Sequence, residues 1–518
     1  MSEATHKTTE LRLAELLAAL ALVTDLARGR PSEEALRACL VATRLAQAVG
    51  LRPDETSDVY YMTLLRFVGC TAPSHEYNAA LGGDQVTGRG RGDMSDMTKP
   101  REALAFLATF SSGLPAWRRP GAFVAALARA PKASREGIRA DCEVAVRMAR
   151  RFQLAESVAK SLYHSFERWD GQGPPQRLAG EAIALPARLA AVAFAAVMYL
   201  EVGGRQAAVD VVRRWRGGSL DPALADAFLE RPGELLEGLE GGDSLPLALG
   251  AEPLPHRNVS GGGIDEVAHG FADFVDLKSP YLHGHSSGVA RVAEAAARAC
   301  RLPEDEVITL RRAGLLHDLG RAGVPTAIWE KRGALTSAEW ELIRLHPYHT
   351  ERILARPAAL APLAQLAGMH HERIDGSGYH RGAPASTQSR LARILAAADV
   401  YQALMEDRPH GQALTPEAAA RVLEAQPGLD REAVDAVLHG AGERRRGARA
   451  TWPAGLSDRE VEVLRLLARG RSEREIAAAL FISASTVHTH VTHIYDKAEV
   501  TTRASAALFA MEHGLLEA

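Results

Sequence analysis

Two stretches of this chain carry the same short phrase, ERWDGQG at Glu167–Gly173 and ERIDGSG at Glu372–Gly378. At the same distance after each comes ARL or ARI, beginning at Ala187 and Ala392. Upstream, Val49–Glu55 parallels Cys300–Glu306. The copies are offset by 205 residues at the phrase and by 251 upstream of it, so the first holds 46 extra residues between about 72 and 136. An internal repeat constrains the fold more than any single motif, because both copies must suit one architecture. The extra stretch contains GGDQVTGRGRGDMSDMTKP, which predicts an exposed loop.

The repeated unit should be helical. Only 5% of residues are aromatic, and Ala, Leu and Arg dominate long stretches, which favours helix over strand. At 47% hydrophobic and 24% charged the composition is globular, not disordered. Four cysteines (Cys39, Cys70, Cys142, Cys300) stand far apart without a Cys-x-x-Cys pair, which argues against thiolate zinc and against a disulfide framework. A net charge of −3 gives no bulk attraction to nucleic acid or membrane, so any such site is local. The opening MSEATHKTTE has no apolar signal core, and the longest apolar run, the twelve residues Leu189–Leu200, is too short to span a bilayer. The expectation is a cytoplasmic chain with no membrane partner. Breaker-rich segments near 250–266 and 440–455 divide it into 1–250, 266–440, a basic linker 441–455 (Arg444, Arg445, Arg446, Arg449) and 456–518.

Ten of the nineteen histidines fall between His269 and His410. They recur in patterns: HGHS at 283–286, HDLGR at 317–321, His346 before Pro347, the pair His370-His371, and Asp399 in a late apolar helix. A His/Asp set without sulfur suits Fe, Mn or similar borderline metals better than structural zinc. Helix bundles build such sites from inward-facing side chains.

Residues 281–410 resemble the HD-GYP branch of the HD-domain metal-dependent phosphohydrolases. The resemblance implies an all-helical bundle and a cyclic dinucleotide substrate, chiefly cyclic di-GMP. The implied metal ligands are His285, His317, Asp318, His346, His370, His371 and Asp399, all present. They imply two divalent ions, Fe or Mn, with Asp318 bridging them. Arg321, four residues after His317, would share its helical face and pair with a phosphate; Asp318 and Arg321 are the catalytic candidates. The family has Lys where Arg321 stands, Pro where His380 stands, and a second Asp where Gln402 stands. Tyr281 occupies the place of an additional Glu ligand in some members, which favours two ions over three. By register, the first copy has Glu34, Arg66, Phe67, Asp141, Ser165, Phe166 and Phe194 at the seven ligand positions, so it should bind no metal and should instead regulate or dimerise.

In 456–518, Ser457/Glu460 and Ser472/Glu475 predict capping boxes, Gly470 a helix end, and Ser483 the cap of a third helix. Val487, Val491, Ile494 and Ala498 form the apolar stripe of that helix, leaving Thr486, His488, Thr489, Thr492 and His493 outside, able to meet base edges. The segment is similar to the LuxR/GerE-type helix-turn-helix, end to end, including Lys497 as a further DNA contact. Glu499 takes the place of a Gly expected in the left-handed region.

The fold expected is all-α: two tandem HD-type bundles and a four-helix LuxR-type domain on a flexible tether. The function expected is a DNA-binding transcriptional regulator, a homodimer, carrying a two-metal cyclic dinucleotide phosphodiesterase. The alternative is a regulator whose HD domain senses a nucleotide or metal without turnover.

Overall fold

The computed structural model describes residues 10–81, 99–110, 117, 119–443 and 452–516. Most of the Gly-rich insertion and the linker arginines Arg444–Arg446 and Arg449 lie outside the described residues. The described chain is helical apart from short turns and one two-stranded antiparallel sheet, in which Leu11 pairs with Val259 and Arg12 with Asn258.

The repeat is visible helix by helix. Leu13–Ala27, Glu34–Ala48 and Pro53–Leu64 correspond to Gly262–Asp276, His285–Ala299 and Glu304–Leu316. The end of Arg119–Arg151, then Glu156–Tyr163 and Leu185–Trp215, correspond to His346–Leu354, Ala361–Ala367 and Arg390–Leu404. Backbone devices repeat in the same register. Glu167 accepts from the backbone N–H groups of Gln176 and Leu178; Glu372 accepts from those of Arg381 and Ala383. Asp25 accepts from the N–H of Ala35, and Asp276 from that of Ser286. A Cβ on Gly69 would lie 1.9 Å from the Asp141 carbonyl oxygen, and one on Gly320 1.9 Å from that of His346. Glycine is required at both places because two backbone segments touch there.

Three expectations change. The segment 250–266 is not a structureless linker: helix Gly262–Asp276 begins inside it. Its glycines read as breakers, but Ile264, Val267, Phe271 and Phe274 follow at helical spacing and are buried. Val267, Phe271 and Phe274 join one apolar cluster with Leu16, Leu20, Leu315, Leu319 and Leu354, so the two bundles share this core. The insertion holds more than the predicted loop, which lies outside the described residues: on either side of it stand helices Ser74–Leu81 and Pro100–Phe110. Finally, the apolar run Leu189–Leu200 belongs to the 31-residue helix Leu185–Trp215. That helix is long and apolar enough to cross a membrane, but 61% of its apolar window is buried in the fold. Its path bends at Gly203-Gly204.

The last domain has its four helices at Asp458–Ala468, Glu473–Leu480, Ala484–Ala498 and Arg503–Glu512. Both capping boxes form, Ser483 caps the third helix, and Glu499 sits at φ 52° in the left-handed region. The domain is docked on the bundles instead of hanging from a tether. Arg147 pairs with Glu512 at 2.7 Å, Glu143 accepts from Ser505 and Thr502, and the His283 ring bonds the Ala468 carbonyl at 2.8 Å. Ala504, Ala507 and Leu508 bury themselves in the bundle cluster. Helix 431–443 also runs into the expected linker.

Within this domain buried Glu460 accepts from Ser457 and from the Lys497 ammonium at 2.7 Å. Burial pushes its carboxyl up, but the Lys497 and Ser457 hydrogen bonds win and hold it down at about 2. Glu460→Gln should therefore lower the unfolding free energy by about 1–3 kcal/mol in urea titrations at neutral pH. Its folded value lies below the ordinary 4.5, so the wild-type advantage is complete above that pH and disappears as pH falls toward about 2.

Candidate metal centre and nucleic-acid interface

The helix of His317 ends at Leu316, and the next residues turn into a short 3-10 segment, Leu319–Gly323. This break lets adjacent His317 and Asp318 face one point, which a continuous helix forbids. Thr350 fixes the break by donating to the His317 carbonyl and accepting from the Gly320 N–H. His285 opens its helix, His346 opens another, and His370-His371 follow Ala361–Ala367 in a turn.

All seven expected ligands converge. The Asp318 oxygens divide between two sets: Oδ2 lies 3.4 Å from His285 Nε2 and 3.1 Å from His317 Nε2, while Oδ1 lies 3.3 Å from His346 Nε2 and 3.4 Å from His370 Nε2. Asp399 Oδ1 is 3.2 Å from His285 Nε2, and Oδ2 is 3.6 Å from His371 Nδ1. Three ligand-atom groups each fit within 4.8 Å: His285/His317/Asp399, His317/Asp318/His370 and His346/His370/His371.

The donors are oriented from behind. His317, His346 and His370 each place Nδ1 against the carbonyl three residues earlier, of Gly314, Ile343 and Ala367. A proton held there leaves Nε2 of His346 and His370 as a lone pair aimed inward, and that of His317 likewise once its second proton is lost. His346 Nε2 and His370 Nε2 then face each other at 3.0 Å, an arrangement that needs a cation to relieve it. His285 Nε2, His317 Nε2, both Asp318 oxygens and Asp399 Oδ1 are buried without a hydrogen bond of acceptable geometry. Buried ligand atoms that face one another as ion pairs without forming hydrogen bonds fit a metal.

Charge follows the same division. Burial pulls the His317 imidazole down, but Asp318 and Asp399 outweigh it and raise it to about 9. For His285, Glu406, Asp318 and Asp399 likewise overcome burial. Burial dominates at His346, lowered to about 4, and holds His371 well below its usual range. Asp318 and Asp399 stay ionised despite burial, held by Arg321 and the histidines.

Arg321 differs from expectation. Lying on the 3-10 turn and not on the His317 helix, it places Nη1 2.5 Å from Asp318 Oδ2, with its guanidinium 5.0 Å from the Trp329 ring centre. It braces the central carboxylate. Glu406 was missed: its carboxylate bonds His285 Nδ1 at 2.9 Å and accepts from Gln402 at 2.8 Å. It lies beyond the end of helix Arg390–Leu404, outside the repeated histidine patterns, so only the folded contact reveals it. Tyr379 stacks on His371 with ring centres 4.7 Å apart.

In the first copy, aromatic side chains fill the corresponding place. Phe67 lies 5.0 Å from Phe194 and 6.2 Å from Phe166, while Arg28 and Arg66 cover the Phe67 ring.

Residues 123–224 and 270–433 match the HD domain family, and 454–510 match the luxR family of bacterial regulatory proteins. The chain belongs to the HD-domain family. This HD-domain protein is a metal-dependent phosphohydrolase with a LuxR-type DNA-binding domain. It is 30% identical over 418 residues to 3'3'-cGAMP-specific phosphodiesterase 3 of Vibrio cholerae serotype O1, covering 80% of this chain and 90% of the relative. It is 41% identical over 131 residues to a cyclic di-GMP phosphodiesterase of Pseudomonas aeruginosa, 25% of this chain and 32% of that one. A crystal structure of a cyclic GMP-AMP specific phosphodiesterase from V. cholerae aligns with TM-score 0.59 and 26% identity, covering 84% of this HD-domain protein and 98% of that chain.

On the LuxR-type domain, Thr486, His488, Thr489, Thr492 and His493 are exposed along Ala484–Ala498, while Val487, Val491, Ile494 and Ala498 are buried. Lys497 stands apart from the expected DNA contacts, because Glu460 and the Gly455 carbonyl engage its ammonium.

Glu406→Ala should weaken metal binding by 10–100-fold, about the effect of losing a carboxylate behind a ligand histidine. Metal competition with a fluorescent chelator measures it. Because His317 titrates at about 9 in the metal-free fold, wild-type affinity should rise as pH increases toward that value.

Proposed function

We propose that this protein hydrolyses a cyclic dinucleotide of the cyclic di-GMP or 3'3'-cGAMP class at a two-metal centre and controls transcription through its LuxR-type domain. The observation that carries the catalytic reading is the division of the Asp318 oxygens between two donor sets. His285, His317, Asp318 and Asp399 would hold one ion, and Asp318, His346, His370 and His371 the other. An all-nitrogen and oxygen donor set favours Fe or Mn. The chemistry a bound divalent pair supplies is polarisation of the phosphodiester and activation of water.

The protein's own residues prepare that chemistry. Carbonyls behind His317, His346 and His370 fix their tautomers, and Glu406 orients His285. Arg321 offsets the charge of Asp318. Near-complete burial of His285, His317, Asp318, His346 and His370 excludes bulk water. Names of the relatives support the substrate class.

The reading for DNA rests on the exposed face of Ala484–Ala498. Thr486, His488, Thr489, Thr492 and His493 meet base edges, and one such helix covers one half-site, so the protein acts on DNA as a homodimer at a two-fold site. The DNA-directed reading goes with a cytoplasmic location. The sensing alternative draws support from Arg321, whose pairing with Asp318 opposes the positive charge of an ion there.

Incubating Mn-loaded full-length chain with cyclic di-GMP and 3'3'-cGAMP should yield linear dinucleotide, read by chromatography. His346→Ala should reduce turnover by at least about a thousandfold, as expected when electrostatic stabilisation is lost. Bound nucleotide that stays cyclic would decide for sensing. Changing His488, Thr489 and Thr492 to Ala should alter base preference in a selection from random duplexes, with each lost base contact worth about 1–3 kcal/mol.

A further inference from the structure

Between the catalytic bundle and the LuxR-type domain lies a cavity of about 460 Å³. The volume falls in the range of small-molecule sites, about 300–1,000 Å³. Its walls come from both units. The bundle contributes Tyr281, Arg291, Gln402 and Glu406; the LuxR-type domain contributes Arg469 and Met511. Glu406 and Gln402 are the same residues that stand behind ligand His285, so the cavity abuts the metal centre through one hydrogen-bonded layer. The LuxR-type wall is held in place on two sides, by the His283 bond to the Ala468 carbonyl and by the Arg147–Glu512 pair.

The lining is mixed in a specific way. Tyr281 and Met511 offer an aromatic face and a polarisable thioether to a flat ring. Arg469, on the LuxR-type wall, offers a guanidinium group to a phosphate. The Gln402 amide spends one N–H on Glu406, whose carboxylate is committed to His285, Gln402 and Arg408, and offers its oxygen and second N–H to ring N–H and carbonyl groups. A flat heterocycle with both hydrogen-bonding senses and an attached phosphate describes a purine nucleotide.

We propose that this interdomain cavity is a purine-nucleotide site whose one wall is the LuxR-type domain, so that nucleotide occupancy and seating of that domain depend on each other. The proposal rests on the nucleotide reading of the metal centre. A cyclic dinucleotide presents one phosphodiester to the metals at a time, and its other half must lie close by; a free nucleotide brings the same chemistry independently. A ligand touching both walls favours the docked arrangement by its differential affinity for it. Arg469 and Met511 are then specificity-determining residues for a pocket that the HD fold alone does not complete.

The test uses the full-length Mn-loaded chain with Arg469→Ala and with Met511→Trp, which fills the cavity, after metal content and circular dichroism show both variants intact. Turnover of bis(p-nitrophenyl) phosphate, too small to need the cavity, reports the metal centre. The ratio of kcat/KM for cyclic di-GMP to that for this probe should fall at least tenfold in both variants. Calorimetric titration with GMP distinguishes the sources: binding abolished by Met511→Trp assigns a free nucleotide, and no GMP binding with a reduced ratio assigns the outer half of the substrate. Bound nucleotide should slow hydrogen exchange in Arg503–Glu512. An unchanged ratio together with no cavity-dependent GMP binding would overturn the proposal, as would exchange unaffected by a bound nucleotide. Failure of the wild type to cleave either phosphodiester, with cavity-dependent GMP binding intact, would instead remove the phosphodiesterase reading and support the cavity.

Discussion

One carboxylate organises the catalytic half. Asp318 is fully buried, ionised, and approached by four histidine nitrogens and a guanidinium. Burying a charge is expensive unless it is compensated, and here every surrounding element helps to compensate it. The helix break after Leu316, the glycine at 320 and the Thr350 brace all exist to let this residue stand beside His317 and face inward. The first copy keeps the glycine contact but not the charge. Phe67 replaces the Asp, and two further phenylalanines occupy the space its partners would need. A bundle of one shape thus tolerates either a centre whose donors converge on a cation or one filled by phenylalanines with the buried Arg28–Glu34 pair and Arg66 packed around them.

Much of this was legible in the amino-acid sequence because the informative residues are local. The duplicated ER-x-DG-x-G phrase holds a Glu that closes a turn on two backbone N–H groups, and both copies must keep it. The seven ligands carry chemistry that leaves few other uses for them. The caps Ser457, Ser472 and Ser483 act within three residues of themselves and were readable for that reason.

What escaped was non-local. Glu406 reaches His285 across more than a hundred residues, and no motif announces it. Arg321 was placed on a helix because the spacing from His317 suits one, but the chain leaves the helix at that point. The glycines at 261–263 advertised a linker, while the apolar stripe following them decided the matter through tertiary packing. Lys497 reads as a DNA contact, and only the position of Glu460 on another helix shows that its charge is engaged inside the domain. The tether inferred from composition could not reveal that Glu143 and Arg147, some 360 residues upstream, receive the last helix.

The common core of the two bundles has a consequence for how such a protein comes into being. Leu16, Leu20, Phe271 and Phe274 lie in one apolar cluster, so the first copy's interior is closed only with residues of the second, which also holds a cluster of its own. During synthesis the first copy must wait, with that face uncovered, until residues beyond 270 emerge to meet it. The ancient duplication is therefore no longer a pair of independent lodgers on one chain. The half without ligands has become the floor on which the active half is laid, and its retention needs no chemistry of its own to explain it.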